Sequence, residues 1–185
     1  QLWPAAGSAY DEMNAAAAAA AAGSAGLVVL PFGNGVERTL GNRNIGASLH
    51  GLELNIHTRA HVARAVQEGI VFALNHGIGA LREMGLEVVT VKAGHANMFL
   101  SPLFTETFAT VTGARVELYR TDGSQGAARA AGIGAGIYPS TRAAFTGLEA
   151  VRAVEPTPAL TQPCQEAYRR WLGVLETELA MSANA

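Results

Sequence analysis

Residues 58–84 carry apolar side chains at the spacing of one face of a long helix. Val62 and Ile70 belong to a stripe that recurs every three or four residues, which is typical of an amphipathic helix. Thr58 is a suitable N-cap residue, and Gly85 is a suitable residue to end the helix. A helix of this length gains most of its stability from tertiary packing, so the stripe predicts the centre of a packed domain.

Short β-prone segments and further helices flank this long helix. The apolar runs 26–33 and 86–91 and the alternating segment 114–120 predict three strands. Residues 33–51, which contain five glycines and three asparagines, predict an ordered loop. Further helices are predicted at 15–22 (an alanine run), 102–113, 122–138, 140–151 and 161–180. Strands that alternate with helices predict an α/β fold with some parallel pairing.

The composition argues against several classes of function. Of 185 residues, 49% are hydrophobic and 15% are charged, which is typical of a well-buried domain and not of a disordered chain. So little polar surface predicts a face hidden against another domain or subunit, and a homodimer is one such arrangement. The net charge of −2, without any Lys/Arg block, argues against nucleic acid or an acidic membrane surface as a partner.

The sequence features that indicate a cell compartment favour the cytoplasm. Cys164 is the single cysteine and cannot form an internal disulfide, which favours a reducing compartment. No signal peptide or membrane-spanning run is recognised. The chain opens with Gln1, without an initiator methionine, so we expect a fragment or a processed chain.

Two groups of residues outside the predicted strands could carry chemistry. His57 and His61 have the i, i+4 spacing of metal ligands, but the glutamate of a zinc protease is absent between them, so a polar helix start is favoured. Glu37, Arg38 and Thr39 lie in the glycine-rich loop. They could contact an anionic ligand through Arg38, or Glu37 and Arg38 could pair within a tight connection.

The helix predicted at 122–138 is rich in small residues, including Gly126 and Ala127. Its glycines lie inside the helix and not in the turn after a strand, so a dinucleotide fingerprint is not indicated. No Lys-containing phosphate loop occurs in the chain. The small residues predict close packing against another element, or a hinge.

The segment 89–102, VTVKAGHANMFLSP, leads from a strand through a glycine turn to a new helix. Gly94 lacks a Cβ and could let the backbone approach a flat ligand, and Asn97 offers both a donor and an acceptor. Ligands of open α/β sheets bind beyond the carboxyl ends of strands, where this segment falls. An ordinary strand-to-helix turn is the alternative interpretation.

Three stretches together resemble the C-terminal part of FGGY-type carbohydrate kinases, and xylulose kinases in particular. They are similar to the family's P…G-E-R-T loop with its R-A-x-x-E-G-x-x-F-A helix, its adenosine motif, and its closing G-A-x-G-A-A helix. In this chain they read LVVLPFGNGVERTLGNRNIGASLHGLELNIHTRAHVARAVQEGIVFAL, VVTVKAGHANMFLSPLFTETFATVTGARVEL and DGSQGAARAAGIG. The resemblance extends over about residues 24–175.

The resemblance implies the C-terminal lobe of an actin-like, ribonuclease-H-like ATPase, with a mixed sheet flanked by helices. Residues 1–25 would be an incomplete helical segment of the lobe, and residues 26–180 would form the nucleotide-side domain. The intact enzyme would use ATP and Mg²⁺ to phosphorylate a sugar, D-xylulose above all. Another ketose, a pentitol or glycerol is the alternative within the family, and a non-catalytic, partner-binding actin-like module is the alternative outside it.

The family's phosphate loops and catalytic aspartate would lie upstream of Gln1. We therefore expect no catalytic residue and no metal ligand in this chain, no activity of the chain alone, and a sugar site provided by the absent lobe. The resemblance assigns nucleotide contacts to four residues and cleft or hinge positions to five others. The former are Gly94, His95, Ala96 and Asn97, and the latter are Glu37, Arg38, Thr39, Gly126 and Ala127. His95 stands where the family usually has glycine, which would alter how the base is held.

Overall fold

The computed structural model describes residues 9–183. In chain order its helices and strands are α1 (Ala9–Ala19), β1 (Val28–Phe32), β2 (Gly46–His50), α2 (Arg59–Glu83), β3 (Thr90–Gly94), α3 (Pro102–Thr112), β4 (Arg115–Tyr119), α4 (Gly123–Gly134), α5 (Thr141–Ala144), β5 (Ala150–Val154) and α6 (Pro158–Ser182). Short 3₁₀ turns lie at Ser24–Gly26, Arg38–Leu40 and Asn97–Leu100. The predicted α/β class is confirmed.

The strands form two small sheets. β1 and β2 pair antiparallel, with Leu30 opposite Ser48. In the second sheet β4 is central, parallel to β3 and antiparallel to β5, so this sheet is mixed. Parallel pairing places the carboxyl ends of β3 and β4 at the same edge, which positions the site described below.

The long helix α2 packs against β1, α1 and α3, as its apolar stripe predicts. Thr58 caps its first turn and Gly85 follows its end in a left-handed conformation, with φ of +83°. Gly69 allows the helix to approach β1 closely, because a Cβ at this position would lie 2.3 Å from the Val29 carbonyl oxygen. The same oxygen accepts a hydrogen bond of 2.9 Å from the indole N–H of Trp171 on α6.

A buried ion pair on α2 holds the chain that follows α1. The Nε of Arg64 lies 2.7 Å from Glu68, and both side chains are at least nine-tenths buried. Glu68 also accepts hydrogen bonds from the Gly23 amide and the Ser24 hydroxyl, each at 2.9 Å. Arg64 donates to the Ala20 carbonyl at 2.6 Å. The alanine run therefore ends at a turn that α2 fixes.

Three predicted elements differ from those observed. A helix at 140–151 is wrong, because α5 is one turn long and residues 150–154 form β5, whose hydrogen bonds go to the distant β4. The loop predicted at 33–51 contains β2, whose pairing partner β1 makes it a strand. The strand predicted at 86–91 begins only at Thr90.

Candidate functional site

The parallel strands β3 and β4 end beside a groove with a volume of about 300 Å³. Its walls come from the end of β3, the turn after it, the start of α3, the loop between β4 and α4, and one face of α2. The lining residues are Ile70, Leu74, Ala93, Gly94, Ala96, Asn97, Met98, Phe99, Phe104, Asp122 and Gly123. This placement agrees with the general position of ligand sites in open α/β sheets.

Gly94 is required by the backbone around it. A Cβ on Gly94 would lie 2.5 Å from the carbonyl oxygen of Thr121, in the chain that follows β4. The next amide, that of His95, donates to the Tyr119 carbonyl at 2.8 Å. The missing side chain thus permits two backbone segments to meet, so a ligand is not needed to explain this glycine.

Asn97 begins the 3₁₀ turn with a φ of +52°, a left-handed conformation that asparagine tolerates better than most residues. Its side-chain amide makes no hydrogen bond to any other described residue and is exposed. Ala96 precedes it in an extended conformation, and its amide donates to the Gly94 carbonyl at 2.8 Å. The turn therefore presents an uncommitted donor and acceptor at the groove.

Asp122 and Gly123 line the groove together with Asn97, and neither is among the site residues predicted from the sequence. Asp122 is the N-cap of α4, where its Oδ1 accepts from the Ser124 hydroxyl at 2.6 Å and from the Gln125 amide at 2.9 Å. These hydrogen bonds, that from Ser124 first, hold the pKa of the Asp122 carboxyl below its usual value. The signal for this residue was its position as a helix cap directly after a strand parallel to β3.

The floor of the groove is apolar. Ile70 and Leu74 come from the stripe of α2, and Leu74 keeps 44% of its surface exposed. Phe99 packs edge-to-face on Phe104, with ring centroids 5.2 Å apart. Apolar side chains next to a few polar groups form a surface that accepts a flat, partly polar ligand.

The other predicted site residues lie outside this groove. The side chain of His95 is exposed and is not part of the lining. Gly126 and Ala127 lie in the first turns of α4, just after the lining residue Gly123. A Cβ on Gly126 would meet nothing within 4 Å, so the close packing expected of this position is not found in the described part of the chain.

Glu37, Arg38 and Thr39 lie in the connection from β1 to β2 and do not line the groove either. The Glu37 amide donates to the Arg43 carbonyl at 3.0 Å, which closes the loop. Arg43 in turn donates to the Leu179 carbonyl at the end of α6. No ion pair joins Glu37 to Arg38 within residues 9–183, so that alternative is not supported.

The histidine pair at the start of α2 has structural hydrogen bonds. The Nδ1 of His57 accepts from the Glu53 amide at 2.8 Å, and the Nδ1 of His61 accepts from the Thr58 amide at 3.1 Å. Among the described residues no cluster of three metal-ligating side chains occurs. A polar helix start is the interpretation that these contacts support.

Comparison with known proteins identifies the family. A profile of the FGGY family of carbohydrate kinases, C-terminal domain, matches residues 1–135. The chain is 33% identical to the L-xylulose/3-keto-L-gulonate kinase of Escherichia coli (strain K12) over 167 residues, which are 88% of this chain and 32% of that protein. It therefore spans about a third of the length of these curated relatives.

Solved structures agree with this match. The crystal structure of xylulose kinase from Rhodospirillum rubrum superposes with a TM-score of 0.77 at 25% identity, over 97% of this chain and 36% of that one. Ligand-bound xylulose kinase from Lactobacillus acidophilus has the same fold, with a TM-score of 0.78 at 21% identity, over 94% of this chain and 36% of that one.

These neighbours place the chain in the actin-like ATPase fold. No helix in the part of the chain that the structure describes is long and apolar enough to cross a membrane. The mixed sheet, the groove at its carboxyl edge and the profile match lead to one conclusion: the chain belongs to the FGGY family of carbohydrate kinases and corresponds to its C-terminal, xylulose-kinase-like domain.

Proposed function

We propose that the groove beside Gly94 binds the adenine nucleotide of a sugar kinase. The observation that carries this proposal is the convergence of Ala96, Asn97, Asp122 and Gly123 at the carboxyl ends of two parallel strands, above an apolar floor. Polar groups placed at the edge of an apolar surface suit a purine nucleoside, whose ring is flat and whose ribose is polar.

Each wall of the groove would contact a different part of the nucleotide. The purine would lie against Leu74 and Phe99, and the free amide of Asn97 would hydrogen-bond to its edge. Asp122 uses Oδ1 to cap α4, which leaves Oδ2 as an acceptor for a ribose hydroxyl. His95 would contact the nucleotide from the rim of the groove.

In the intact enzyme the γ-phosphate of ATP would pass to a sugar hydroxyl, with Mg²⁺ neutralising the phosphate charge. The groups that hold the phosphates would belong to the rest of the protein, so the chain alone would bind nucleotide without transferring phosphate. Glu37, Arg38 and Thr39 would face the cleft between the lobes. Gly126 and Ala127 would allow α4 to move as the lobes close.

D-Xylulose is the substrate that we propose for the intact enzyme, which would release xylulose 5-phosphate. The E. coli relative, named as an L-xylulose/3-keto-L-gulonate kinase, makes L-xylulose the second candidate. An intact enzyme assayed with both sugars under identical conditions separates the two. A higher kcat/KM for D-xylulose is expected, and a higher kcat/KM for L-xylulose would overturn the choice.

Nucleotide binding is tested by titrating the isotope-labelled chain with ADP and recording amide resonances. Ala96, Asn97 and Gly123 should shift together with one dissociation constant, whereas Ser48 in the other sheet should not shift. Because the other lobe of the proposed cleft would lie outside this chain, an affinity near the millimolar range is expected. Shifts elsewhere, or none at about 10 mM ADP, would contradict the assignment.

A further inference from the structure

A second and larger cavity, of about 680 Å³, lies between α1, α3, β5 and α6. Its walls include Ala18, Ala22, Leu103, Val154, Leu160 and Pro163. None of the residues that line it lines the groove beside Gly94. The cavity is therefore a separate site, and it does not rest on the proposed nucleotide function.

The alanine run creates this space. Ala17 and Ala20 are buried, whereas Ala18 and Ala21 are exposed on the side of the run that borders the cavity. Larger side chains here would fill the gap between α1 and the first turns of α3 and α6. The volume lies within the range of about 300–1,000 Å³ that is typical of small-molecule sites.

Arg64 supplies a buried cation at the wall of the cavity. Its Nε donates to Glu68 and its Nη1 to the Ala20 carbonyl, but its Nη2 donates to no described residue. Arg64 lines the cavity even though the residue is only 5% exposed.

Two further charged groups border the same space. Arg152 on β5 is exposed, and its guanidinium makes no hydrogen bond or ion pair with any described residue. Glu106 on α3 already accepts a hydrogen bond of 2.9 Å from the Thr157 hydroxyl. Arg152 thus supplies unused donors and Glu106 keeps Oε2 as an acceptor, and a guanidinium is suited to bind a carboxylate through two parallel hydrogen bonds.

We propose that this cavity binds a small organic carboxylate with an aliphatic body. The carboxylate would take donors from Arg152 and from the Nη2 of Arg64, while the carbon chain would lie against the alanines, Leu103 and Leu160. Burial of apolar area favours the chain, and the guanidinium groups select the anion. The site would thus distinguish an anion from a neutral molecule of the same length.

Octanoate is the probe that tests this proposal, with acetate and 1-octanol as controls that each lack one feature. Amide shifts at Ala18, Ala22, Leu103 and Val154 should saturate with octanoate, and both controls should bind about tenfold more weakly or worse. Octanol binding as tightly as octanoate would mean an apolar surface without anion selectivity. No saturable shift with octanoate at about 10 mM would mean that there is no site. Either result would overturn the proposal.

Matched variants assign the binding to the named residues. Arg152→Gln should weaken octanoate binding about tenfold, whereas Arg142→Gln, which removes another exposed cation that does not line the cavity, should leave it unchanged. Ala18→Leu should block octanoate by filling the space, because leucine is compatible with a helix at this position. Unchanged affinity in both Arg152→Gln and Ala18→Leu would refute the site even if octanoate bound elsewhere.

Discussion

Gly94 and Asn97 lie in the same turn but tolerate substitution differently. A side chain at Gly94 would collide with the Thr121 carbonyl oxygen, so Gly94→Val should destabilise the sheet edge and cannot report on nucleotide contact alone. Asn97 combines a φ of +52° with an exposed, uncommitted amide. Its side chain can be removed without new strain if glycine replaces it.

Asn97→Gly should therefore weaken ADP binding about three- to tenfold, while the midpoint of urea unfolding stays nearly constant. Titration calorimetry gives the first quantity, and circular dichroism during denaturation gives the second. Gly94→Ala is the contrasting variant, and it should lower the unfolding midpoint. Unchanged ADP affinity in a folded Asn97→Gly chain would show that this amide does not contact the nucleotide.

Cys164 offers an independent check of burial. This residue of α6 is only 2% exposed, and burial raises the pKa of its thiol to about 11, with Glu68 adding to the effect. Because the folded pKa is raised, the contribution of the neutral thiol to stability is complete below pH 9.0, the usual value, and is lost as pH rises through about 11. At pH 8 the folded chain should react with a disulfide reagent far more slowly than the urea-unfolded chain, and equal rates would mean that the thiol is not buried in the folded chain.

At the scale of whole elements, the sequence was most informative where local pattern and tertiary packing agree. The stripe, the cap and the terminating glycine of α2 can be read from residues 58–85, and α3 begins at Pro102, where the helix at 102–113 was predicted. β2 and β5 could not be predicted in this way, because their hydrogen bonds go to strands far away in the chain. For the same reason, only part of the groove could be predicted from the sequence. Gly94 and Asn97 lie within one turn, whereas Asp122 comes close to them only because β3 pairs with β4.

Two glycines of α2 provide a matched test of helix packing. Gly69→Ala places a Cβ 2.3 Å from the Val29 carbonyl oxygen and should destabilise the chain by about 1–3 kcal/mol or more. Gly79→Ala, where a Cβ would meet nothing within 4 Å, should stabilise the same helix by about 0.5–1 kcal/mol. Urea denaturation measures both free energies, and equal effects would refute the close contact between α2 and β1.

For the whole molecule, α6 shares with α2 the role of linking the two sheets. It packs on β1 and on α3, and α3 lies against β4 and β5. Trp171 stands at this junction, 1% exposed, near Phe32 and Phe72 and hydrogen-bonded to Val29. The two sheets share no strand, so their cooperation has to pass through these helices.

Trp171→Phe keeps most of the apolar volume but leaves the Val29 carbonyl without its indole donor, which should cost about 1–3 kcal/mol. If the molecule unfolds as one unit, amide hydrogen exchange should accelerate equally at Leu30 in β1 and at Val116 in β4, because both exchange through the same global opening. Trp171→Ala should lower the free energy of unfolding by about 3–5 kcal/mol, so amide exchange at Leu30 and at Val116 should accelerate further and to the same extent. Faster exchange at Leu30 alone would instead mean that the β1–β2 sheet opens separately, and that α6 does not couple it to the sheet that carries the groove.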